Sequence, residues 1–181
     1  MQLIATNISG AVVIEPVVHG DDRGFFMESW NAETFARAGL DLEFVQDNHS
    51  CSSKGVLRGL HYQLGRAQGK LLRVVRGAIY DVLVDLRRSS PTFGKWIGVE
   101  LSAANRLMLW APPGMAHGFL SLKDGTELLY KCTEFYRPET ERCLLWNDPS
   151  VGIKWPIENM RPLLSPKDRL GERFSQASCY P

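Results

Sequence analysis

No apolar run in this chain approaches the ~18 residues that a membrane-crossing helix needs, so nothing in it reads as a membrane span. Charge of one sign is not in excess either. With 21 Lys and Arg against 20 Asp and Glu, the formal net charge is +1, which leaves no global field to draw a nucleic acid; any anion site must be local. Cysteine is sparse and scattered, at Cys51, Cys132, Cys143 and Cys179, with no C-x-x-C pair and no sign of a disulfide framework. The first residues lack a basic region followed by an apolar stretch, and together with the scattered thiols this predicts a reduced, cytoplasmic protein. There is no G-x-G-x-x-G loop and no P-loop, so no nicotinamide or triphosphate cradle is expected. Nor is there a period of about 20 to 50 residues that would signal a solenoid or propeller.

What remains is 181 residues, 44% hydrophobic and 23% charged, enough for one globular domain over residues 1–181 with its own core. Most apolar stretches are short and alternate with period two. Strands are predicted at residues 10–17, 43–50, 56–63, 70–75, 78–86, 95–101, 107–111, 117–122 and 127–135, divided by Gly, Pro, Asn and Asp. The Arg76-Gly77 step reads as a hairpin turn between two of them. In the second of that pair, Tyr80, Val82 and Val84 share one face while Ile79, Asp81, Leu83 and Asp85 share the other, so both faces are expected to be at least partly covered. One short helix is expected at residues 32–38, capped by Asn31 and ended by Gly39. From about residue 147 the recurring Pro149, Pro156, Pro162 and Pro166 forbid long ladders and predict an irregular C-terminal arm. Many short strands with tight turns point to an all-β, jelly-roll sandwich or barrel.

Six clusters could carry chemistry. Asp22-Arg23-Gly24-Phe25-Phe26 with Glu28 puts a guanidinium, two aromatics and a carboxylate in one stretch; it suits a nucleotide, and the plain alternative is a solvated turn before an edge strand. Gln46-Asp47-Asn48-His49-Ser50 is polar at almost every position of a strand, a hydrogen-bonding wall or a sheet edge. Arg58, His61, Gln63 and Lys70 combine a base with cations, yet strict alternation sets Arg58 and His61 on opposite faces unless the strand twists or bulges between them. Pro112-Pro113-Gly114-Met115-Ala116-His117 is a rigid turn that feeds His117 into a strand. Alternation gives Tyr130, Cys132, Glu134 and Tyr136 a common face. Lys167 and Asp168 form a charged pair that is either an exposed turn or reaches back over the barrel mouth.

The P-x-G-x-A-H stretch is similar to the second motif of the cupins, but the first motif's His-x-His is missing. The only histidines are His19, His49, His61 and His117, so a three-histidine metal site would require His49. As a set, D-x-R-G-F-F, Q-D-N-H-S, K-G-V-L-R-G-L-H-Y-Q, P-x-G-x-A-H-G-F and L-W-N-D-P, in order between residues 8 and 168, resemble the dTDP-4-dehydrorhamnose 3,5-epimerase family. The resemblance implies a cupin-like jelly roll that works as a homodimer, without metal or organic cofactor, on a dTDP-sugar. It implies His61 as proton acceptor oriented by Asp168, Tyr130 as proton donor and Lys70 as holder of the enolate oxygen. Arg23, Glu28, Gln46, Asn48, Arg58, His117, Glu141 and Lys167 would bind substrate, Arg23 and Glu28 from the partner subunit; Phe26 and Tyr136 join them as candidate aromatic contacts. One departure is a short connection between Gln63 and Gln68, just ahead of Lys70.

Those side chains suit the chemistry on their own terms. Two protons α to one ketone can share a single base and a single oxyanion holder if the sugar ring reorients. A neutral imidazole accepts a proton at physiological pH, and inversion needs a proton returned to the opposite face, which a tyrosine can supply. Three alternatives stand beside this reading: an epimerase acting at C3 or C5 alone, a metal-dependent cupin oxygenase, and a non-catalytic sugar-nucleotide binder on the same fold.

Overall fold

The computed structural model describes residues 1–157 and 160–181. Two antiparallel sheets face each other. The first has six strands in the order β1 (Gln2–Ala5), β2 (Val12–Glu15), β10 (Met108–Ala111), β7 (Lys70–Arg76), β12 (Thr126–Cys132) and β5 (Gln46–Ser52). The second has five, in the order β13 (Glu141–Cys143), β6 (Leu57–Gln63), β11 (Met115–Ser121), β8 (Ala78–Asp85) and β9 (Trp96–Ser102). A separate two-stranded hairpin, β3 (Val18–Asp21) and β4 (Gly24–Met27), stands apart from both. This is the all-β sandwich expected from the strand pattern, with the cupin-like form that the resemblance implied. Among the described residues no helix is long and apolar enough to cross a membrane.

Period-two alternation divides each strand between two cores. The rows facing inward, Leu72 and Val74 of β7, Ile79 and Leu83 of β8, Leu109 of β10 and Leu128 of β12, form one buried cluster between the sheets with Ile8, Val13, Leu101 and Phe119. The outward rows are covered too. Leu71, Met108, Ile14 and Trp110 of the first sheet pack under α1 (Ala32–Arg37) through Phe35, with Trp30 and Phe44 beside it. Tyr62, Val82, Val84 and Leu120 of the second pack under the C-terminal segment through Trp155, Phe174 and Tyr180. Each fully buried Leu, Ile or Phe contributes about 1.5–3 kcal/mol, which is why both faces of both sheets are apolar wherever they are covered.

The helix forms where its caps predicted: Asn31 accepts a hydrogen bond from the Thr34 amide, and Gly39, at φ +89°, follows its last turn. Two expectations need correction. Arg76-Gly77 is not a hairpin turn, because β7 pairs with β10 and β12 while β8 pairs with β11 and β9. Gly77 (φ +76°) is instead a corner that carries the chain from one sheet to the other, so close to Thr126 that a Cβ would lie 2.3 Å from its Oγ1. Positive φ and flanking alternation are common to both geometries, and the pattern alone does not say which strands pair. The strand expected at 127–135 stops at Cys132: Thr133 turns its hydroxyl to the Gly69 amide, and residues 133–137 fold over the sheet end.

The feature that positions the site is a bulge in β6. Opposite β11, His61 pairs with His117 and Arg58 with Phe119, so Gly59 and Leu60 together stand against Gly118 alone. Leu60 joins the outer core, and Arg58 and His61, which strict alternation would separate, both face inward. Gly59 has φ +111°, and a Cβ there would meet Gly118 Cα at 2.5 Å and the His117 carbonyl at 2.6 Å. Gly59→Ala is therefore expected to cost about 2–4 kcal/mol, lowering the melting temperature by roughly 4–16 °C. Thermal unfolding of the variant checks this; an unchanged midpoint would show that the bulge has room to spare.

Candidate active site

Toward the β5 and β13 edges the inward rows change from apolar to polar, and a cavity opens between the sheets. Register explains which side chains meet there. Lys70 pairs with Cys132 across β7 and β12, Tyr130 with Asn48 across β12 and β5, and His61 with His117 on one side and Cys143 on the other. One lobe of about 290 Å³ is lined by Gln46, Asn48, Gln63, Gln68, Tyr136 and Glu141, another of about 320 Å³ by Ser50, Arg58, His117, Phe119, Lys167 and Asp168. His61, Lys70 and Tyr130 line both lobes.

His61 is backed by a carboxylate 107 residues further along the chain, its Nε2 lying 2.6 Å from Asp168 Oδ1. Asp168 sits in the short helix α2 (Pro166–Arg169), where it accepts from the Ser165 hydroxyl at 2.7 Å and from the Gly59 amide at 3.2 Å while its own amide donates back to Ser165 Oγ. Burial opposes ionisation of Asp168, but the bonds from His61 and Ser165 outweigh it and bring its carboxyl down to about 2. An ionised acceptor fixes the tautomer: in the neutral ring Nε2 carries the proton and Nδ1 the lone pair.

A second imidazole–carboxylate pair lies deeper. His117 Nε2 donates to Asp81 Oδ2 at 2.9 Å, with Asp81 fully buried. Burial lowers the pKa of His117 against the opposing pull of Asp81, so the ring is neutral. Burial also pushes Lys70 below the usual ammonium range, opposed by Cys132, Asp81 and Glu141. Tyr130 moves the other way, raised by burial and then by Cys132, and stays protonated. Burial works against Glu141 as well, yet contacts from Lys167 and Tyr136 hold its carboxyl below the usual range.

The rim is stitched together by buried Gln63, whose amide donates to the carbonyls of Arg66 and Phe135 and accepts from the Arg137 amide at 2.7 Å. With the Gln68 bond to the Glu134 carbonyl, this ties the short connection before Lys70 to the segment after β12. The short loop thus leaves Lys70 in the cavity. Arg58 is anchored by Ser52 Oγ and the Cys51 carbonyl.

His61, Lys70, Tyr130, Asp168, Gln46, Asn48, Arg58, His117, Tyr136, Glu141 and Lys167 are thus gathered in one place. Arg23, Phe26 and Glu28 are not. Arg23 is 90% exposed and pairs with Asp21, Phe26 is 71% exposed, and Glu28 accepts from Asn31, all on or beside the β3–β4 hairpin and away from this chain's own cavity. His49 points to the outer face, bonded to Glu127, and does not join His61 and His117 in a three-histidine set. Sequence reasoning passed over Asp81 and gave Ser50 and Ser165, which lie in two of the clusters, no role of their own. The signal for Asp81 was present, since a carboxylate in the inward row between Ile79 and Leu83 needs a buried partner; Ser165 carried the N-cap pattern ahead of Pro166.

An acceptor on one sheet facing a protonated donor on the other is the arrangement of an acid–base isomerase built on a cupin-like sandwich. The family model for dTDP-4-dehydrorhamnose 3,5-epimerase matches residues 5–176. Enzymes of that name from Shigella flexneri and Pseudomonas aeruginosa are 56% and 55% identical, over 99% and 96% of this chain and 99% and 96% of theirs. The crystal structure of the dTDP-6-deoxy-D-glucose-3,5-epimerase of Legionella pneumophila, in complex with dTDP-4-keto-L-rhamnose, superposes with a TM-score of 0.94 at 46% identity, covering 98% of this chain and 94% of that one. The chain belongs to the dTDP-4-dehydrorhamnose 3,5-epimerase family.

The opposed shifts of Lys70 and Tyr130 give a pH test. A lysine lowered below 10.5 loses its charge as pH rises through the lowered value, whereas the raised tyrosine keeps its proton longer. The alkaline limb of kcat is expected below pH 10.5 and should vanish in Lys70→Met, whose residual turnover should fall by about 10²–10³. A limb unchanged in that variant would assign it to Tyr130.

Proposed function

We propose that this protein inverts C3 and C5 of dTDP-4-dehydro-6-deoxy-D-glucose to give dTDP-4-dehydro-L-rhamnose, without metal or organic cofactor. The observation that carries this reading is the placement of His61 and Tyr130 on opposite sheets across one cavity, with Lys70 lining the same space. His61 Nδ1 removes the proton α to the C4 ketone, and Asp168 stabilises the imidazolium that forms. The Lys70 ammonium holds the developing enolate oxygen, an interaction that grows as charge moves onto it. Tyr130 returns a proton from the other face, which inverts the centre. Because C3 and C5 flank the same ketone, one set of groups serves both after the ring turns over.

Arg58 and Lys167 supply cations for the diphosphate, and Gln46, Asn48, His117, Tyr136 and Glu141 line the remaining surface for sugar and nucleoside. Among the described residues Ser50 Oγ is buried without a partner beside Arg58, placed to bond a substrate oxygen. The exposed hairpin supports a homodimer in which Arg23, Phe26 and Glu28 of one protomer complete the site of the other. Phe25 and Phe26, 56% and 71% exposed on a two-stranded sheet, are an apolar surface that a second copy would cover.

Proton NMR in D₂O with the 4-ketosugar nucleotide separates the steps. In Tyr130→Phe, deuterium should enter at C3 and C5 through His61 while inverted product falls by about 10²–10⁴; in His61→Ala both exchange and inversion should fall together, with dTDP affinity retained. Normal exchange in His61→Ala would sink the assignment of the base. Arg23→Ala should weaken dTDP binding, with wild-type affinity more salt-sensitive than that of the variant; equal affinity at all salt concentrations would return Arg23 to the solvated turn.

A further inference from the structure

One group against the base is unused by this chemistry. Cys143 is the register partner of His61 across β13 and β6, and among the described residues its thiol makes only a long contact, 3.7 Å, to the Leu144 carbonyl. His61, Cys143 and Asp168 each offer one ligand atom, and the three atoms lie within 4.8 Å of one another. We propose that these three residues form a site for a thiophilic divalent cation of the zinc type, and that its occupancy takes the catalytic base out of service. This goes beyond the epimerase reading and does not depend on it for binding.

Three features of the geometry carry it. The donors come from three elements that are each held in place: His61 by the β6 ladder, Cys143 by the β13 pairing, and Asp168 by its bonds from Ser165 and Gly59. A tetrahedral zinc ion, with bonds of about 2.0–2.3 Å, places its ligand atoms roughly 3.3–3.8 Å apart. His61 and Asp168 must part by under about 1 Å from their hydrogen-bonded 2.6 Å, and the sulfur must close by a similar amount. The donor set, one imidazole, one thiolate and one carboxylate, selects zinc, cobalt or their neighbours over magnesium or calcium. Its two negative charges neutralise the ion, as a largely buried site requires.

The proton account explains inhibition. The cation takes the Nε2 position that now holds the proton shared with Asp168, so that proton moves to Nδ1, and the Cys143 thiol releases its own to solvent. One proton leaves per ion bound, no oxidation occurs, and Nδ1 becomes N–H. A ring protonated at Nδ1 and metallated at Nε2 has no lone pair left to accept a substrate proton. The fourth coordination position is open to the cavity beside His61, whose partly exposed ring also provides the entry path.

Cobalt(II) added to the purified full chain reads the site without any activity. Wild type should develop a near-ultraviolet sulfur-to-cobalt charge-transfer band together with tetrahedral visible bands, and C143S should lose the charge-transfer band. Zinc should inhibit turnover reversibly, relieved by chelator, with the half-inhibitory concentration raised at least ten-fold in C143S and in the smaller C143A, while both variants keep wild-type turnover without metal. Magnesium at the same concentrations should do nothing. No charge-transfer band in wild type, a band that persists in C143S, or equal zinc inhibition of wild type and both cysteine variants would each overturn the site. Failure of the epimerase reading would instead show as absent turnover with the cobalt band intact.

Discussion

The bulge that sets Gly59 and Leu60 against Gly118 is the constraint on which the site depends. It does two things at once. It turns Leu60 outward, where the second core needs a leucine, and it returns Arg58 and His61 to the same inward face. The Gly59 amide, freed by the bulge from the regular ladder, donates to Asp168 and so helps to hold the carboxylate that orients His61. Backbone irregularity, side-chain direction and charge placement therefore have one origin. A regular β6 would keep a histidine and an arginine but would present only one of them to the cavity.

Electrostatic balance follows from that frame. Asp81 and Asp168, both buried, each face an imidazole, and Glu141 faces Lys167. A buried carboxylate is costly unless bonded, and each of these is bonded to a group that the proposed chemistry also uses. The same burial that shapes the cavity walls keeps the proton on Tyr130 and lowers the pKa of His117, whereas the Lys70 ammonium is held against it by Cys132, Asp81 and Glu141.

Much of this was legible in the sequence, and the illegible parts share a cause. Alternation gave the sandwich and the inward rows of β7, β8 and β12, and Asn31 and Gly39 marked the helix to within a residue, because those signals are local. The conflict between Arg58 and His61 could be stated from the sequence but not resolved, since a bulge is a property of two strands. Gly77 was misread for a related reason: a glycine at positive φ serves a hairpin and a sheet-to-sheet corner equally well. Asp168 stood out only as one of a charged pair, and its role came with the resemblance, because nothing local links it to His61. Arg23, Phe26 and Glu28 lie away from their own chain's cavity, so no intrachain spacing connects them to it.

The distance along the chain between His61 and Asp168 has a consequence for biosynthesis. The strands that build the cavity walls, β5 through β12, are all synthesised before the helix that carries the carboxylate, and the 107-residue separation makes this one of the long closures in the fold. Contacts of such separation form late, after the loops between them have been closed. On the ribosome the nascent sandwich would hold its imidazole in an incomplete cleft, unable to orient it, until α2 emerges and docks. With His61 and Asp168 in the roles proposed above, catalytic competence would report finished synthesis, and a chain released early would be folded in part yet chemically silent.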